Sequence, residues 1–236
     1  MDTQPSNHLL SSLSLADFGL IEPHLEAVTL ELRRTLEDMN KSITHAYFPI
    51  SGVVSVVAKA PRGREIEAGI IGREGMTGIN VVMGNDRSPN HTYMQISGHG
   101  QRLPADDLRN AMRESLSLRD CFLHFAQAFM LQIVHTAMSH GQAKIEERLA
   151  RWLLMAHDRM DGNDLPLTHE FLALMLSVRR PGVTGALQRL EYKGLISLGR
   201  GAITVEDRKG LRETANGVYG IPEAEYTRLT GWRAKG

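Results

Sequence analysis

The chain has 236 residues, with 27 lysines and arginines balanced by 27 aspartates and glutamates and 42% hydrophobic residues. That length accommodates one large or two modest domains with real cores. The single cysteine, Cys121, excludes an internal disulfide and any four-cysteine zinc or iron–sulfur site within one chain. No apolar run approaches a bilayer span and the N-terminus lacks a basic-then-apolar signal pattern, so the expectation is a cytoplasmic protein without a membrane partner.

From Ile43 to about Leu103 the chain is rich in β-branched residues, glycine and turns. Strands are expected at Ala46–Ile50, Val53–Ala58, Glu65–Ile71, His91–Ile96 and Gln101–Leu103, with a hairpin turn at Pro61-Arg62-Gly63-Arg64. Many short strands with regular turns point to a sandwich, barrel or jelly roll. This region lacks the H-x-H cluster that metal chemistry in a cupin-type barrel would need. None of the ten histidines forms a chelating pair on an expected helix, so no metal site is assigned.

From Ala105 the pattern becomes helical. Leu118, Phe122, Phe125, Phe129, Ile133 and Ala137 follow a near-heptad stripe, widened by Leu116, Met130, Val134 and Met138. So broad an apolar face needs two burial surfaces. The β unit supplies one, and the same helix of a second copy is the simplest source of the other. The six stripe residues are therefore the expected dimer interface. Ser139-His140-Gly141-Gln142 reads as a hinge, with Gly141 ending the helix. Lys144 to Met160 is a further amphipathic helix, and Asp161-Gly162-Asn163-Asp164 a turn.

Leu167 to Ile196 reads as two short helices joined by a tight turn, the pattern of a helix-turn-helix. Thr168 is the expected N-cap of the first helix. Leu176-Ser177-Val178 forms the turn, with Ser177 where many such units carry glycine. Pro181 suits the first turn of the second helix. Val183, Leu187 and Leu190 form an inward stripe, and the opposite face offers Arg180, Thr184, Gln188 and Arg189, side chains able to reach base edges. From Ser177 to Arg200 the basic residues Arg179, Arg180, Arg189, Lys193 and Arg200 face one acidic residue, Glu191. In a chain of zero net charge this is a local phosphate footprint. Alternation around Gly199-Arg200-Gly201 suggests a β-hairpin, or wing, after the second helix.

A β-rich unit, a long helix, a hinge and a winged helix-turn-helix, in that order, resemble the Crp/Fnr family of bacterial transcription regulators. The strings carrying the resemblance are Tyr47–Val57 (YFPISGVVSVV), Gly63–Gly78 (GREIEAGIIGREGMTG), Glu146–Leu154 (EERLARWLL) and the helix-turn-helix itself. The resemblance implies an α+β fold: an N-terminal double-stranded β-helix (jelly roll) of the cyclic-nucleotide-binding type over 1–115, a dimerisation helix and hinge over 116–141, and a winged helix-turn-helix over 142–236. It implies a non-enzymatic homodimer that binds double-stranded DNA, and RNA polymerase if it activates. Thr168, Arg179, Arg180, Thr184, Gln188, Arg189, Lys193 and Arg200 are the expected DNA contacts.

Cyclic-nucleotide-binding members of the family carry a cassette in which a Gly-Glu pair meets the ribose and an Arg-Ser or Arg-Thr pair meets the phosphate. Here Gly78 matches the glycine, Ile79 replaces the glutamate, and Arg87-Ser88 is followed by Pro89, which removes an N–H and biases Ser88 to extended geometry. Gly78, Ile79, Arg87 and Ser88 mark the expected effector pocket. The expectation is that no cofactor, cyclic nucleotide or iron–sulfur cluster binds, the alternative being a cyclic-nucleotide-binding regulator with a divergent cassette. Well-known members present an Arg-Glu pair and a second arginine one turn on. This chain has Arg180, Pro181 and Gly185, which implies a different operator.

Overall fold

The computed structural model describes residues 7–60 and 64–236. The expected turn at Pro61-Arg62-Gly63 lies outside the described residues. Two short helices open the chain, α1 (His8–Ser11) and α2 (Leu15–Ile21), capped by the side chains of Asn7 and Ser14. Seven strands follow: β1 (Glu26–Leu30), β2 (Thr35–Glu37), β3 (His45–Pro49), β4 (Val53–Ala60), β5 (Arg64–Ile71), β6 (His91–Ile96) and β7 (Gly98–Pro104). They form two antiparallel sheets, one ordered β1-β7-β3 and one β2-β6-β4-β5. Between β5 and β6 lies the short helix α3 (Ile79–Val82).

The helical part comprises α4 (Ala105–Glu114), α5 (Leu116–Gln142), α6 (Ile145–Arg159), α7 (His169–Met175), α8 (Arg180–Tyr192), α9 (Arg208–Thr214) and α10 (Ile221–Thr230). A small sheet ordered β8-β10-β9 joins β8 (Asp164–Leu165), β9 (Ile196–Gly199) and β10 (Ala202–Val205). The wing is the β9–β10 hairpin, registered Ala202 to Gly199.

Two apolar cores hold the molecule together. The first lies inside the jelly roll and along α5, where Phe48, Val54, Phe122 and Phe125 are fully buried; Tyr226 of α10 joins them. The second gathers Trp152, Leu172, Leu187 and Ile203 from the C-terminal part against Val53, Ile70 and Ile96 of the larger sheet. The C-terminal helices and their small sheet are thus seated directly on the jelly roll.

Close backbone approach explains part of the glycine-rich string. A Cβ at position 75 would lie 2.1 Å from the Phe125 ring, so Gly75 is what lets α5 settle against the chain after β5. Among the described residues α5 is the one helix long and apolar enough to cross a membrane by length and composition. Its phenylalanines are instead buried in the fold.

Two expectations are corrected here. The break after the long helix falls later than expected: α5 runs through Gly141 to Gln142, the N–H of Ala143 still reaches the Ser139 carbonyl, and the chain leaves the helix at Ala143–Lys144 before α6. The stripe expected to face a second copy faces mostly inward. Leu118, Phe122, Phe125 and Phe129 are buried by their own chain, and Phe125 packs edge-on against Tyr226 with ring centroids 6.0 Å apart. Side chains already removed from water cannot face a partner. Ile133 is half-buried and Ala137 exposed. The outward apolar row is Leu116, Leu123, Met130, Val134 and Met138, with Met130 61% and Val134 56% exposed.

Candidate DNA interface and ligand cavity

The two helices of the helix-turn-helix form for local reasons. Thr168 caps α7, its hydroxyl accepting the Phe171 N–H at 3.3 Å. Ser177 takes a left-handed φ of 51°, the geometry the turn requires and one that glycine adopts more readily. Arg179 is the N-cap residue of α8 and Pro181 sits in its first turn, where no N–H is missed. Val183, Leu187 and Leu190 are fully buried, as their spacing predicts.

The opposite side of α8 is polar and exposed. Arg179, Arg180 and Gln188 face solvent, and Arg200 stands at the tip of the wing beside Gly201 (φ 75°). Thr184 is half-buried, its hydroxyl 3.1 Å from His169 Nδ1. Arg189 pairs with Glu146 of α6, and Lys193 Nζ lies 3.4 Å from the same carboxylate. That acidic partner comes from outside the helix-turn-helix and offsets two of its five cations. The pairs are exposed, and such pairs contribute only about 0–1 kcal/mol, so a phosphate can displace the carboxylate. Thr168 and Arg179 also line a cleft of about 990 Å³ between α7 and the larger sheet, opposite Arg33, Lys59 and Tyr93.

Buried polar bonds fix α6, and through it the helix-turn-helix, on the jelly roll. Glu67 of β5 accepts the Trp152 indole N–H at 2.5 Å and the Ser55 hydroxyl at 2.6 Å. Burial pushes this carboxyl up to about 7, against the opposing effect of those hydrogen bonds and of Arg151 and Arg159. Glu74 pairs with Arg159 at 2.7 Å, both side chains almost wholly buried. Gln132 of α5 bonds both the N–H and the C=O of Ile70. Arg148 reaches the carbonyl of Leu176 at the turn between α7 and α8.

A separate cavity of about 550 Å³ opens between the jelly roll and α5. Ile79 and Ser88 line it, as expected. Arg87 and Gly78 do not. Arg87 is exposed, lies 3.7 Å from Asp86 and pairs through its backbone with Ser42. Gly78 caps α3 at φ 78° and spends its N–H on Glu37. Glu37 is the residue that the sequence pattern did not single out: a buried carboxyl in the cavity wall, held by Gly78 N–H at 2.5 Å and Thr92 Oγ1 at 3.1 Å. Burial raises its pKa. Among the described residues no group of three histidine, cysteine or acidic side chains is placed to hold a metal ion.

The model of the Crp-like helix-turn-helix domain matches residues 147–214, which span α6 to α9. This chain carries a Crp-like helix-turn-helix domain on a Crp/Fnr-type fold. Three solved structures illustrate the likeness. A Crp/Fnr-family transcriptional regulator from Eubacterium rectale is 21% identical, with a TM-score of 0.68 over 89% of this chain and 98% of its own. FixK2 from Bradyrhizobium japonicum is 14% identical, with a TM-score of 0.71 over 80% of this chain and 96% of its own. TTHB099, a CRP-family transcriptional regulator from Thermus thermophilus, is 19% identical, with a TM-score of 0.65 over 80% and 97%. Among curated proteins no sequence matches the chain. The Crp-like domain thus occupies the part of the chain where the exposed basic surface lies, and the jelly roll that carries it has the cyclic-nucleotide-binding-like fold.

Proposed function

We propose that the protein is a homodimeric transcription regulator that reads a near-palindromic DNA site, with its DNA affinity controlled by an effector at the jelly roll. The observation that carries the reading is the solvent-facing polar side of α8 on a Crp-like domain, where Arg179 and Arg180 at its start and Gln188 further along are all exposed. Arg180 is suited to a guanine edge and Gln188 to an adenine edge. Arg179, Lys193 and Arg200 are suited to phosphates, which fix register without reading sequence. The outward row on α5 supports pairing with a second copy, since Met130 and Val134 leave apolar surface in water that a twofold interface would cover. Two α8 helices would then enter successive major grooves about 34 Å apart.

Selection of bound duplexes from a random pool tests this reading. Wild-type protein is expected to enrich an inverted repeat. Arg180→Ala is expected to bind the enriched site about 1–3 kcal/mol more weakly and to relax one position in each half-site. Enrichment unchanged by the substitution removes Arg180 from base readout.

A further inference from the structure

The 550 Å³ cavity between the jelly roll and α5 carries little charge in its wall. Among the described residues no lysine, arginine or histidine lines it. Among the described residues the one ionisable group in its wall is a carboxyl, Glu37, and both of its oxygens are already engaged by Gly78 and Thr92. The arginine nearest in sequence, Arg87, points to solvent. An anion entering this space would lose its water and gain no counter-charge, and an ionised Glu37 would repel it. The remaining wall is chiefly apolar, with Val56 and Ile71 of the jelly roll on one side and Phe129, Met130 and Ile133 of α5 on the other. Asn90 and Gln127 add neutral amides at the edges. Apolar walls with a few neutral polar groups suit a small organic molecule, and the volume lies within the usual range for such sites.

We propose that this cavity binds a neutral, largely apolar small molecule bearing a hydroxyl, carbonyl or amide group, and that it excludes phosphorylated and other anionic ligands. The ligand would touch the jelly roll and α5 together, so its presence would bear on the outward row that pairs with a second copy. This consequence for DNA binding rests on the regulator reading above; the ligand class does not.

A matched pair of fluorophores tests the charge rule on the full chain. N-phenyl-1-naphthylamine is neutral, and 8-anilinonaphthalene-1-sulfonate has the same ring framework with one added negative charge. The neutral probe is expected to saturate at one per chain and to bind about tenfold or more tightly than the sulfonate. Excess cyclic AMP is not expected to displace it. Ala126→Trp, which fills the cavity from α5, is expected to abolish the tight phase, and Ile133→Trp serves as the second filler if the first fails to fold by circular dichroism. Gln127→Lys places a cation at the edge and is expected to move the preference toward the sulfonate. Equal or tighter binding of the sulfonate, displacement by cyclic AMP, or neutral-probe binding untouched by either folded filler variant overturns the proposal. Duplex selection run in parallel keeps the two readings apart. A chain that prefers the neutral probe but enriches no DNA site contradicts the regulator reading alone, and one that enriches a site but prefers the sulfonate contradicts the ligand class alone.

Discussion

Glu67→Gln is expected to change the pH dependence of stability in a definite direction. Glu67 is buried between the jelly roll and α6, and burial raises its carboxyl from the ordinary 4.5 to about 7. Each pKa unit is worth about 1.4 kcal/mol, so ionising this group in the folded protein costs about 3 kcal/mol more than in the unfolded chain. The folded state therefore holds a proton that the unfolded state releases between pH 4.5 and about 7. Stability falls as pH rises through that window, and the loss is complete above it. Glutamine carries no charge and keeps both contacts. Its carbonyl can accept the Trp152 indole N–H, its amide can donate to Ser55, and the Ser55 hydroxyl can turn to Met175 Sδ, 3.7 Å away. Urea denaturation at pH 5 and pH 8 reads the difference. Between those values wild type is expected to lose about 2–3 kcal/mol that the variant retains. Parallel stability curves for the two proteins would refute the reasoning, because they would mean that Glu67 is not a desolvated carboxyl.

Other substitutions separate the roles of the buried contacts. Glu74→Ala leaves Arg159 buried without its partner and is expected to cost about 3–5 kcal/mol in urea denaturation, whereas an exposed control such as Glu225→Ala should cost far less. Gly75→Ala drives a methyl into the Phe125 ring and is expected to cost about 1–3 kcal/mol, read as a lowered urea midpoint. Met130→Asp or Val134→Asp is expected to give a folded monomer by sedimentation, because both side chains lie on the outer row of α5. Phe125→Asp is expected to unfold the chain instead, since it places a charge in the core.

Features set by neighbours in sequence were legible before the fold was known. The Thr168 cap, the turn at Ser177, the proline in the first turn of α8 and the wing all follow from short-range chemistry, and each lies where its pattern places it. Helical spacing also placed Leu118 and the three phenylalanines of α5 on one face, although that face continues through Gln132, Thr136 and Ser139 rather than Ile133 and Ala137. It could not say what covers that face. The phenylalanine row turned out to belong to the chain's own core, partly because α10 returns to it from the far end of the sequence. A glycine suggested that the helix ends at Gly141, but its cost of about 1 kcal/mol does not stop α5, which ends one residue later at Gln142. Long-range partners were invisible for the same reason. Glu37 reaches the cavity from a strand some forty residues before Gly78, Glu67 finds Trp152 across two units, and Glu146 of α6 meets Arg189 of α8. In each case one member of the pair looks like an ordinary solvated residue in the sequence.

The most direct test of the account is the spacing of the two half-sites. Two recognition helices fixed by one dimer must meet the same face of the duplex, with half-site centres one helical turn or a multiple of it apart. Once a palindromic site has been selected, inserting about five base pairs at its centre turns the half-sites to opposite faces, at roughly half of a 10–10.5 base-pair turn. The account predicts that affinity for this duplex falls to that of unrelated DNA, while a single half-site is bound no better. Undiminished affinity for the interrupted site would contradict a dimer that presents two copies of α8 to successive major grooves.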